Sequence, residues 1–195
     1  MKTITKTYQV YDFNELSDTA KNNVRYNLSP DWLWYDFIEE QFTEDMAACG
    51  IEVSNMYFSG FGGQGDGACF IGEVNAMAFL KAQKITKAYW LLYTNLLHEN
   101  ADALVHISHS GRYYHSGTMV FAEDLSIYQE RLEMDDNVYT QWESLVKAIK
   151  AFCINKAKEL YTQLEKEYEY LLSDEHLSEM AEANEWHFLA NGELI

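Results

Sequence analysis

Hydrophobic and polar positions alternate over Ile4 to Phe13, a stretch rich in Thr, Tyr and Val, and that period of two predicts a strand. Ser17 is placed to cap a helix, and Leu16, Ala20, Val24 and Leu28 recur every four residues, so residues 17–28 read as a short amphipathic helix. Ser29-Pro30 resembles a second helix start, with Trp34, Phe37, Ile38, Phe42 and Met46 on one face and Gly50 as the stop. Ile51 to Phe58 alternates again and predicts a strand, and Ala68 to Val74 predicts its hairpin partner. Ala76 to His98 is dense in Ala, Leu and Lys and reads as one helix.

Leu104 to His109 and Arg112 to Phe121 read as two strands around Ser110-Gly111. A two-residue turn there would set His106 opposite His115 and His109 opposite Arg112. Residues 123–136 read as acidic loop and short helix. Tyr139 to Leu172 carries an unbroken helical stripe, and Ser173 caps a last helix to about Ala183. Trp186 to Leu189 reads as a short strand before an Asn191-Gly192 turn. The expected fold is α+β: an antiparallel sheet of hairpins, including the N-terminal strand, packed by helices, with a C-terminal helical hairpin. Residues 1–125 would form the α+β core with its glycine-rich loop, and 126–195 a helical part packing on the same domain.

Between the two central strands runs Ser59-Gly60-Phe61-Gly62-Gly63-Gln64-Gly65-Asp66-Gly67. Six of the ten glycines lie between Gly60 and Gly72, a density no regular element tolerates, so this is a shaped loop. It is neither a Walker A motif nor GxGxxG, and it has no lysine to hold phosphate. Two readings stay open. The glycines could expose backbone N–H groups to a ligand, with Ser59, Phe61, Gln64 and Asp66 as contacts. Alternatively, Asp66 caps the loop's own amides and the turn is structural.

The second marked stretch, His106 to Ser116, holds three of the six histidines and adds His106, His109, Arg112, Tyr114 and His115 as candidate binding residues. His106 and His115 with Asp66 would offer two imidazoles and a carboxylate, but no spacing such as HExxH supports a metal site. Ser59, Ser108, His109 and Asp66 do not assemble into an assignable triad. No catalytic residue, metal or cofactor is therefore expected, and the chain reads as a binding protein rather than an enzyme.

Composition sharpens this. The chain has 195 residues, 48% hydrophobic and 15% aromatic, enough for a packed core. It lacks an apolar run long enough to span a bilayer and a signal-peptide pattern, so a cytoplasmic protein without membrane contact is expected. Cys49, Cys69 and Cys153 are odd in number, lack CxxC spacing and read as free thiols. Thirty-one acidic against 14 basic residues give a net charge of −17. That charge disfavours direct binding to nucleic acid and suits a partner protein with a basic surface. The long C-terminal helix could also pair with a second copy.

The phrase Phe58-Ser59-Gly60-Phe61 followed by Gln64-Gly65-Asp66-Gly67-Ala68-x-Phe70 resembles a motif of small phage and prophage proteins. Tyr114-His115-Ser116, Asn184-Glu185-Trp186-x-Phe188 and Asn191-Gly192 look like the same group. The resemblance implies a phage-type protein acting in the host cytoplasm, and by association an inhibitor of a host or anti-phage defence factor that handles nucleic acid. The alternative is a protein that binds or hydrolyses a nucleotide or signalling molecule between the glycine-rich loop and the histidine hairpin.

Overall fold

A computed structural model describes residues 2–31, 33–99, 103–124 and 135–195. The fold is α+β, with six helices and one four-stranded antiparallel sheet among the described residues. Helices α1 (Asp18–Asn27) and α2 (Asp36–Ala48) lead into strands β1 (Ile51–Phe58) and β2 (Ala68–Asn75). Helices α3 (Ala76–Ala82) and α4 (Trp90–Glu99) follow, then β3 (Leu104–His109) and β4 (Met119–Asp124), and the chain ends in the helix pair α5 (Asp136–Leu171) and α6 (Asp174–Ala183).

The chain divides into two compact units. Unit 1 takes 1–35 and 164–195, and unit 2 takes 36–163, so α5 contributes to both. In unit 1, Phe13, Leu16, Ala20 and Val24 bury against Leu177, Ala181 and Phe188, which removes their apolar area from water. Ser17 caps α1 by accepting the Ala20 N–H at 3.3 Å, and Ser173 caps α6 by accepting the His176 N–H at 3.2 Å. In unit 2 the strand order is β1-β2-β3-β4, with a bulge between Val53 and Asn55. Phe42 of α2 meets Phe70 of β2 edge-on at 5.4 Å, and the buried stripe Trp142, Leu145, Ile149 and Cys153 of α5 belongs to the same unit.

Four expectations are corrected. Residues 2–10 form no strand. Their alternating apolar side chains find no sheet edge: Ile4 is 83% exposed, and only Tyr11 pairs, in a single bridge to Phe188. That bridge and another to Leu194 are all that becomes of the final strand. The second helix starts at Asp36 rather than Pro30, which leaves Trp34 outside it and Phe37 at 75% exposure, off the expected buried stripe. The helix over 76–98 is two helices. α3 ends where Lys84 adopts φ +57°, with Lys84 N–H donating to Lys81 C=O and Ile85 N–H to Leu80 C=O, a Schellman ending without a glycine.

The fourth correction concerns the second hairpin. Its partner strand is Met119–Asp124, so nine residues connect β3 to β4 and His109 faces Met119. His106 faces Ala122, not His115, and the cross-strand histidine pair does not exist. The segment expected as mixed loop and short helix, 123–136, lies largely outside the described residues.

Candidate functional site

The two marked stretches meet. The glycine-rich loop, residues 59–67, closes with Ser59 N–H donating to Gly67 C=O at 3.0 Å. Asp66 accepts the Gly63 N–H at 2.6 Å, so its carboxylate caps the loop's own backbone. Gly65 sits at φ +93° beside the ring of Tyr113. A β-carbon there would touch that ring at 3.4 Å, in a backbone region that side chains rarely adopt. Gly67 is packed against His115: a β-carbon there would lie 2.8 Å from the His115 Cα.

The facing loop, residues 110–118, is locked by side chains. Ser110 N–H donates to Thr118 C=O at 3.0 Å. Tyr114 stacks on Tyr57 of β1 at 5.1 Å and contacts the His109 ring at 4.9 Å. The Ser59 hydroxyl donates to Tyr114 C=O at 3.4 Å. His115 Nδ1 accepts the Gly117 N–H at 3.0 Å, capping the short 3-10 turn that leads into β4, and His109 Nε2 lies 2.9 Å from Tyr113 C=O. Phe61 stacks between Phe58 at 6.0 Å and Tyr161 of α5 at 5.6 Å, and the Tyr161 hydroxyl donates to Gly60 C=O at 3.3 Å.

A small cleft of about 200 Å³ lies at this junction. Asp66, Gly67 and His115 line it from the loops, and Lys158, Tyr161 and Thr162 from α5. Of the predicted residues, Ser59, Phe61, Asp66, His109, Tyr114 and His115 are brought together, while Gln64 and Arg112 stay on the exposed loop surface. Beside Arg112, whose guanidinium lies 6.0 Å from its ring, Tyr113 remains 52% exposed.

His106 stands apart, in a cross-strand row with Glu73 and Ala122. Its Nδ1 is 3.1 Å from Glu73 and its Nε2 3.6 Å from Asp124. Two carboxylates on opposite nitrogens of one ring do not converge on a single point. Among the described residues, no group of three or more His, Cys, Asp or Glu side chains could hold a metal ion. Sequence reasoning missed Lys158, Tyr161 and Thr162. They sit on the α5 face beside the Leu160 and Leu164 stripe, where a helical pattern gives no sign of what crosses it.

The two buried thiols, Cys69 and Cys153, are poor nucleophiles. Burial pushes Cys69 up, against a smaller lowering from the Thr118 hydroxyl, and burial together with Cys49 pushes Cys153 up to about 12, so both stay protonated near neutrality. No helix among the described residues is long and apolar enough to cross a membrane.

Residues 34–174, more than half of the chain, match a domain of unknown function (DUF8835). The chain belongs to this family. The DUF8835 span contains both loops and the α5 residues that line the cleft, whereas α1 and nearly all of α6 lie outside it. No curated protein and no solved structure matches the chain.

Proposed function

We propose that the protein is a non-enzymatic binding protein that presents the locked loop pair and an acidic surface to a basic partner protein. The observation that carries this reading is how the reactive side chains of the loop pair are used. Asp66, His115, His109 and Ser59 each hold backbone of the two loops. Each of the four side chains thus spends a hydrogen bond on the shape of the loops. What faces outward is Tyr113 with Arg112, residue types that serve well as anchors at protein interfaces, and Gln64 beside them on the exposed loop surface.

The charge pattern supports the same reading. From Asp36 to Phe58 the chain carries six carboxylates and no Lys, Arg or His. Such an acidic stretch attracts a basic surface and can occupy the place nucleic acid would take. Together with the likeness to phage and prophage proteins, this makes the partner a host or defence protein that handles nucleic acid, met in the cytoplasm, and makes the chain its inhibitor.

Native mass spectrometry of the protein purified from host lysate identifies the bound protein, and titration then measures it. Tyr113→Ala is expected to weaken binding about tenfold or more, and binding is expected to fall as salt rises. Affinity unchanged by both would sink the proposal.

The alternative, a nucleotide or signalling-molecule site, has one observation in its favour: the two loops do meet beside Lys158. Against it stands the cleft's size, about 200 Å³, below the roughly 300–1,000 Å³ typical of small-molecule pockets. A bound small molecule in the same mass spectra, lost on His115→Ala, would turn the balance.

A further inference from the structure

Unit 1 holds a larger cavity, about 390 Å³, between the turn Phe13–Glu15 and the end of α6. Asp12, Glu182 and Glu185 bring three carboxylates to its lining, and Trp186 brings an indole. No Lys or Arg lines it; the one other titratable group is His187, whose Nδ1 lies 3.4 Å from Asp12. Glu182 and Glu185 form no ion pair among the described residues.

Backbone hydrogen bonds set the shape of the walls. α6 ends in a Schellman motif with Glu185 at φ +54°: Glu185 N–H donates to Glu182 C=O at 3.2 Å and Trp186 N–H to Ala181 C=O at 2.8 Å. Two residues on, Phe188 and Tyr11 exchange backbone hydrogen bonds at 2.9 and 3.0 Å. Trp186 is thus pinned from both sides and packs on the unit 1 core. Across the cavity, the Asn14 amide donates to the Ser178 hydroxyl at 2.7 Å and ties the two walls together. Phe13 supplies an apolar floor, its own ring face already covered by Lys21 at 5.2 Å.

We propose that this cavity binds a guanidinium or alkylammonium group, carried on an Arg or Lys side chain of a basic polypeptide segment. An indole beside two carboxylates outside any described ion pair, with a third shared with His187, attracts an organic cation through ring quadrupole and charge together. The carboxylates do not converge as a metal site would require, whereas a delocalised cation with several N–H donors can address separated acceptors. The cavity shares no residue with the loop pair, so this proposal stands or falls apart from the function proposed above.

The test titrates the full chain with a nine-residue peptide containing three arginines and with its citrulline twin, which keeps the shape and loses the charge. The arginine peptide is expected to bind at least tenfold tighter than the twin and to shift the Trp186 indole resonance. Glu182→Gln with Glu185→Gln should weaken binding about tenfold, as should Trp186→Leu, which changes no charge. Glu169→Gln with Glu175→Gln, the same charge change at exposed sites outside the cavity, should stay within about twofold of wild type. Equal losses in the two double variants would reduce the effect to bulk charge and overturn the site. So would equal affinity for the citrulline twin, or no binding of the arginine peptide.

Discussion

Hairpins β1–β2 and β3–β4 carry connections of the same length and opposite construction. Residues 59–67 are built on backbone: glycines let the chain fold back on itself and let His115 and Tyr113 approach to contact distance. Residues 110–118 are built on side chains, with Tyr114 stacked on Tyr57 and His115 capping a turn. One loop gives room and the other fills it. A shaped surface made this way needs both halves, so damage to either should be felt in the other.

The largest effect is expected from Gly67→Val. The new side chain would strike His115 Cβ and Cα, both parts of a locked loop that cannot swing aside. Overpacking of this kind costs about 1–3 kcal/mol, which corresponds to a fall in Tm of roughly 2–4 °C for each kcal/mol. Next comes Tyr114→Ala, which removes two ring contacts at once and should cost about 1–2 kcal/mol. If Tyr114→Ala left Tm unchanged while Gly67→Val lowered it, the side-chain half would be decoration and the division of labour would be wrong.

The glycine loop was legible because glycine density at 60–67 has no other meaning, and both strands around it were read to within a residue. The facing loop was not legible, because Ser110-Gly111 imitates a tight turn and Arg112 to Phe121 then reads as the partner strand. The structure instead stacks Tyr114 on Tyr57, a contact between residues far apart in sequence. The break between α3 and α4 was hidden for a related reason: Lys84 takes the left-handed position that a sequence reader reserves for glycine. His106 shows the other side of the same lesson. Its type invited a ligand role, and the actual register sets it between Glu73 and Asp124 instead.

A smaller effect separates cap from ligand contact. Asp66→Ala frees the Gly63 N–H, and losing a partly exposed cap of this kind should cost about 1 kcal/mol. In the structural role the loss appears in thermal melts and is restored in part by Asp66→Asn, which keeps an accepting oxygen. A variant with wild-type Tm and no partner binding would move Asp66 from scaffold to contact surface.

The smallest expected effect sets a floor for comparing these locks with an ordinary surface ion pair. In unit 1, Asp174 accepts from Lys21 at 3.0 Å and also pairs with Arg25. The Lys21 hydrogen bond, with the charges of Lys21 and Arg25 behind it, holds the Asp174 carboxyl below its ordinary value, against a raising contribution from burial. A carboxyl depressed in the folded state stabilises above its unfolded value, about pH 3.9, and that contribution is lost as pH falls through the folded value. The stability gap between wild type and Asp174→Asn should therefore be full at pH 7, shrink below about pH 4 and close in stronger acid. With the Asp174 side chain 49% exposed, solvent screening keeps the gap under about 1 kcal/mol. Denaturant melts across that range measure it directly, and a gap that widened toward acid would contradict the assigned ion pair.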